Sequence, residues 1–149
     1  MAFDYILKET DDYYPLSVLL NTSGLGIDIQ KENPPGIIKM WRLEEKSSGE
    51  LAGTIILQNR NGTPCLGGLA VKPKYRNDGC GSYLQNTLFI EAKKLGFREL
   101  WTCAKIPEYY YRFGWEPMDW ETSPNIAIWC PKCDKFQTSC HPKKLRKVL

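Results

Sequence analysis

Apolar and polar positions along this chain fall into short runs that can be read one at a time. Tyr5–Lys8 predicts a first strand. Tyr13–Leu20, preceded by Asp11 and Asp12 as capping residues, predicts a helix. Asn21–Gly36 is rich in Gly, Asn and Pro and predicts a loop. In Ile37–Glu44 the apolar Trp41 and Leu43 alternate with Arg42 and Glu44, the period of a half-buried strand. After a turn at Ser47-Ser48-Gly49, Leu51–Gln58 predicts a second strand of this group, with β-branched Thr54, Ile55 and Ile56. Asn61-Gly62 is a two-residue hairpin signal leading into Pro64–Val71. Gly67-Gly68 inside that strand predicts a bulge or a close approach by a ligand.

The strongest helical pattern runs from about Gly81 to Leu95, with Leu84, Leu88, Ala92 and Leu95 on one face and Gly96 in the C-cap position. Glu99–Ala104 predicts a strand, Pro107–Phe113 a short aromatic helix, and Trp115–Trp120 and Ile126–Cys130 two closing strands. This order implies an α/β (α+β) sandwich around one mostly antiparallel sheet.

The chain has 149 residues, the size of one domain over 1–149. No apolar run approaches the ~18 residues of a membrane span. The N-terminus lacks the basic and apolar regions of a signal peptide. The expectations are therefore a cytoplasmic protein and no membrane partner. Net charge is +3 but uneven. Residues 130–149 read as a cysteine-containing basic tail, in which Lys132, Lys135, Lys143, Lys144, Arg146 and Lys147 face the single acid Asp134. Such a tail could touch nucleic acid or an acidic partner; the simpler expectation is a solvated, frayed C-terminus. No groove-reading motif accompanies it, so nucleic acid is not an expected partner.

The segment Val71-Lys72-Pro73-Lys74-Tyr75-Arg76-Asn77-Asp78-Gly79-Cys80-Gly81-Ser82 joins a predicted strand to the best helix. A helix start leaves about four amides without intrahelical partners and carries roughly half a positive charge. Pyrophosphate suits that position. Gly79 and Gly81 let the main chain approach phosphate oxygens closely and take positive φ, and Arg76 adds a cation. A P-loop would need Lys after Gly81, and a dinucleotide fingerprint would need Gly or Ala at Leu84; neither is present. Taken alone, the two glycines read equally well as a plain helix-entry turn.

The full string, Val-x-Pro-x-x-Arg-x-x-Gly-x-Gly-Ser, resembles the coenzyme A signature of the GNAT superfamily of N-acetyltransferases. Tyr109-Tyr110-Tyr111-Arg112-Phe113-Gly114-Trp115 is similar to that family's aromatic-Tyr-x-x-x-Gly-aromatic segment. The resemblance covers Leu51–Met118 well. It implies a three-layer sandwich whose V-splayed central sheet has about six to seven strands, with about four helices. It further implies acetyl-CoA as acetyl donor, held through the main chain of Leu69, Ala70 and Val71 and by Arg76, Asn77, Asp78, Gly79, Cys80, Gly81 and Ser82. An amine-bearing small molecule or peptide would enter from the opposite side of the splay, and a homodimer is left open.

Acetyl transfer needs a neutral amine, a stabilised oxyanion and a proton for the departing thiolate. Tyr110, four residues before Gly114, matches the family's tyrosine and is the expected acid; the alternative is that Tyr109, Tyr110 and Tyr111 all merely pack. Many relatives carry a base on the third strand of the meander, but Pro64–Val71 contains no acid. The open choices are Glu108 and a chain of water. His141, the only histidine, stands in the polar tail and is not an expected catalyst. Cys130-Pro131-Lys132-Cys133 with Cys140-His141, and Cys103 in space, is a possible zinc set but a disfavoured one, because the second pair is adjacent rather than spaced. No metal is expected in the chemistry. Alternative functions are a protein lysine or N-terminal acetyltransferase and a catalytically weak acyl-CoA sensor.

Overall fold

A computed structural model of the chain describes residues 3–24, 27–126 and 142–149. Seven strands form one mixed sheet in the order β1-β2-β3-β4-β5-β7-β6. They are β1 (Tyr5–Thr10), β2 (Ile37–Glu45), β3 (Leu51–Arg60), β4 (Thr63–Val71), β5 (Glu99–Ala104), β6 (Glu116–Met118) and β7 (Lys143–Val148). Three α-helices occur among the described residues, α1 (Tyr13–Thr22), α2 (Cys80–Lys94) and α3 (Pro107–Tyr111), together with a 3-10 turn at Pro73–Tyr75.

The sheet is covered on both faces. Ile55 and Leu57 of β3 join Trp41 and Leu43 against Leu84, Leu88 and Ala92 of α2. Ile56, between them, points the other way and joins Met40 and Ala70 against Leu16, Leu19 and Leu20 of α1. Period-two alternation through β3 thus feeds two separate cores, which is why Ile55, Ile56 and Leu57 form an apolar run without a break.

β1 to β4 form an antiparallel meander. Asn61 and Gly62 both take the positive φ that their hairpin turn requires (52° and 81°). The glycine pair in β4 marks a bulge: Ile56 faces Gly68 but Leu57 faces Leu66, leaving Gly67 as the extra residue. β4 continues through the 3-10 turn and α2 into β5, which lies parallel to it. Their register is the single pair Cys65–Trp101. The Thr102 hydroxyl donates to the Leu66 carbonyl at 3.1 Å beside that point, and beyond it the strands part. This is the expected splay.

Four expectations need correction. The chain's last residues are not a frayed tail: Lys143–Val148 is an inner strand paired with β5 on one side and β6 on the other. Its charges hid it. Leu145 faces the core, while Lys144, only 4% exposed, donates to the carbonyls of Trp120 (3.1 Å) and Pro124 (2.9 Å) over the Trp120 ring. Ile126 is accordingly not in a strand, and 127–130 lie outside the described residues. Asp12 precedes α1 but makes no side-chain cap. Leu95 lies past the end of α2 and is 46% exposed, so the buried stripe stops at Ala92.

One acid organises the approach to α2. Glu50, before β3, accepts from the Tyr75 hydroxyl at 2.6 Å and from Lys74 at 2.8 Å and Lys72 at 3.3 Å. The bonds from Lys74 and Tyr75 bring its carboxyl down to about 2. A depressed carboxyl pKa contributes stability that is fully present above the unfolded value, ~4.3, and is lost as pH falls through the folded one. Glu50→Gln should therefore flatten the loss of stability between about pH 4.5 and 2, measured by urea unfolding at stepped pH, and leave the slope above pH 5 unchanged.

Candidate active site

The start of α2 is open. Its first residue, Cys80, follows Gly79, whose φ of 83° is a left-handed conformation and which has no side chain to cap the helix. The carboxylate next in line is Asp78, but the Tyr5 hydroxyl donates to its Oδ2 at 2.7 Å. No side-chain cap bond is made at this helix start. Unpartnered amides and the positive end of a 15-residue helix together form an anion seat. Arg76 is exposed beside it, its Nε donating to the Val71 carbonyl at 3.0 Å, so the guanidinium folds back over the end of β4.

The free edge of β4 leads to this seat. Leu69, Ala70 and Val71 pair with Ile55, Thr54 and Gly53 on one side. On the other side β5 has already diverged, so, among the described residues, no strand covers that edge. Backbone donors and acceptors left in this state require a partner from solvent or a ligand.

The resulting cleft has a volume of about 1520 Å³. That exceeds the ~300–1,000 Å³ of an ordinary ligand pocket and gives room for two reactants. One arm presents Leu69–Val71, Arg76, Asn77 and Gly79–Ser82; the other presents Cys103, Ala104, Tyr109 and Tyr110. Nine of the ten expected donor-binding residues thus share one wall. Asp78 is the exception, engaged by Tyr5 instead. The reason given for Gly81 also changes. It is not a positive-φ residue; a Cβ there would overlap the Tyr109 hydroxyl.

Tyr110 faces the cleft from α3, half-buried. Its ring meets Trp115 edge-on at 5.9 Å and Tyr109 edge-on at 5.3 Å. Trp115 is fixed in turn: its Nε1 donates to Oε1 of Gln85, a wholly buried residue of α2, at 2.9 Å. Burial, with smaller contributions from Tyr109 and Cys103, raises the Tyr110 phenol above the ordinary tyrosine range. It is therefore neutral and a proton donor throughout the physiological range. Its hydroxyl makes no hydrogen bond to any described residue.

Glu108 is exposed and is not part of the cleft wall. The structure does not bring it to Tyr110's side of the site. Among the described lining residues the one carboxylate is Asp28, exposed in the loop after α1. Cys103 is half-buried on the cleft wall. The other residues of the possible zinc set, Cys130, Cys133, Cys140 and His141, lie outside the described residues. Sequence reasoning missed Tyr5 and Gln85. Tyr5 acts 73 positions away from Asp78, and Gln85 is one polar residue on an amphipathic helix; neither has a local signal.

Residues 37–117, more than half of the chain, match the family model described as an acetyltransferase (GNAT) domain. The chain belongs to the GNAT acetyltransferase family. No curated protein matches this acetyltransferase. Solved structures match it in fold. A GNAT family acetyltransferase from Elizabethkingia anophelis with acetyl-CoA bound has a TM-score of 0.68 at 17% identity, over 99% of this chain and 100% of that one. A GNAT family acetyltransferase from Staphylococcus aureus Mu50 gives 0.70 at 16%, over 97% and 99%. N-acetylglutamate synthase from Neisseria gonorrhoeae, complexed with coenzyme A and N-acetyl-glutamate, gives 0.70 at 18%, over 97% of this chain. This acetyltransferase spans 35% of that synthase's length.

The support behind Tyr110 can be measured apart from turnover. Trp115→Phe removes the donor to Gln85 and leaves a fully buried amide oxygen without its partner. Such a loss typically costs ~1–3 kcal/mol. Chemical denaturation should place the variant in that range below the parent.

Proposed function

We propose that this protein moves an acetyl group from acetyl-CoA to a primary amine of a small molecule or peptide, by direct attack while both are bound. The observation that carries the reading is one continuous cleft. It begins at uncapped α2 amides, follows the unpaired edge of β4, and ends beside a dehydrated tyrosine on the opposite arm.

Each part of the chain has a task. The α2 amides from Gly79 to Ser82, with Arg76, hold the donor's diphosphate. Leu69, Ala70 and Val71 offer main-chain groups to its amide-bearing arm. The donor supplies an activated thioester; the protein has to place the amine and deal with two protons. Tyr110 gives its proton to the departing sulfur. A phenol above its ordinary value would be a poor acid for a thiolate in water, near ~8.5. Here the sulfur departs into the same dehydrated space, which raises the thiol by the same mechanism and keeps the transfer near balance.

The amine's proton leaves by another route. A lysine-like amine near ~10.4 pays roughly 4–5 kcal/mol to become neutral at pH 7, at 1.36 kcal/mol per unit. Since Glu108 is exposed and off the wall, ordered water leading to solvent is the favoured path. The shortage of carboxylates near Tyr110 favours a second reading, an acyl-CoA sensor with little turnover.

Thiol release from acetyl-CoA over a panel of amines separates the two: turnover with any amine supports the enzyme, and donor binding with none supports the sensor. With an acceptor found, Tyr110→Phe should lower kcat by ~10²-fold or more, the usual share of a general acid, with coenzyme A affinity within about twofold. Turnover of the parent should also keep its acid to higher pH than an ordinary phenol. A fall through pH 10 in the parent that is absent from the variant would leave Tyr110 as the acid but overturn its raised proton affinity; the same fall in both would assign it to another group.

A further inference from the structure

Two tyrosines stand side by side on α3, and the mechanism above uses only one. The geometry points to Tyr109 as a further donor-binding residue, whose hydroxyl donates a hydrogen bond to the donor's diphosphate at the first turn of α2. This inference rests on the reading of the cleft as an acetyl-CoA site.

The position of the hydroxyl carries the argument. Tyr109 belongs to the arm that follows β5, yet its oxygen lies against Gly81, the second residue of α2, on the arm that follows β4. The contact therefore crosses the mouth of the splay. It is so close that Gly81 has no room for a Cβ. The amides at this helix start are the ones left without a side-chain cap. An oxygen of a diphosphate seated on them has to lie beside the Tyr109 hydroxyl or take its place.

The hydroxyl is also unspent. Among the described residues it makes no hydrogen bond, although its ring is fixed by Tyr110 at 5.3 Å and Phe113 at 5.3 Å. The Arg112 guanidinium stands 4.9 Å from the same ring, adding positive charge behind it. Burial raises the phenol, opposed by Arg112, so it stays protonated and able to donate. A ring needed only for packing would be served by phenylalanine; here the polar end is brought to a helix start that lacks an acceptor.

Tyr109→Phe keeps the ring and removes only that oxygen. Calorimetry on the full chain should compare coenzyme A with millimolar pantetheine, which has the thiol arm but no diphosphate. The expected result is a rise of roughly 10–150-fold in the Kd for coenzyme A, the range of one hydrogen bond to a charged group. Pantetheine affinity should stay within twofold, and Tyr111→Phe, altering the exposed neighbour, should change neither. Gly81→Ala, which pushes the hydroxyl off α2, should reproduce the selective loss. Unaltered coenzyme A affinity in Tyr109→Phe, or an equal loss for both ligands, overturns the assignment while leaving the cleft's function standing. A parent protein that takes up no coenzyme A overturns both, and shows it before any substitution is made.

Discussion

The parting of β4 from β5 is the constraint on which this molecule's chemistry depends. β4 is paired with β3 along its whole length but with β5 only at Cys65 and Trp101. A sheet gains by pairing every backbone group, so an interior edge left open is a departure that some other feature must sustain. Here the sustaining features are the crossover through α2, which sets the two strands parallel, and the bond from Thr102 to Leu66 that closes the apex of the fork. Below that apex each arm keeps its own sheet partner: β4 stays paired with β3, whereas β5 is held by β7.

Much of this was legible because the relevant signals are local. Asn61-Gly62 has one conformational solution, and the structure adopts it. Gly67-Gly68 marked a bulge where one exists. The strand–turn–helix over 71–82 was readable in its chain order, with the helix starting where the two glycines stand. What stayed hidden depends on partners distant in sequence. β7 reads as a string of lysines, yet its one inward lysine is held by hydrogen bonds to carbonyls of a turn some twenty residues earlier. Pairing of Tyr5 with Asp78, and of Trp115 with Gln85, follows from the order of strands in space rather than from any spacing. Glu108 shows the converse: it lies two positions from Tyr110 in the chain, yet it is exposed and off the cleft wall that Tyr110 faces.

The two arms contribute different physics. The β4–α2 arm offers fixed dipoles, which need no titration and hold their charge at any pH. The β5–α3 arm offers aromatic rings around a dehydrated phenol, where the local medium rather than a neighbouring charge sets proton affinity. On the proposed function, recognition of an anion and delivery of a proton fall on separate elements, about one shared opening.

The bare start of α2 has a consequence for evolution and engineering alike. A helix without its cap forgoes ~1 kcal/mol that a serine or aspartate could restore. Tyr5 draws off the one carboxylate close enough to supply it. Selection for melting temperature alone would therefore favour changes that plug this helix, and, on the proposed function, the hardiest descendants of such a screen would be the ones least able to grip their donor.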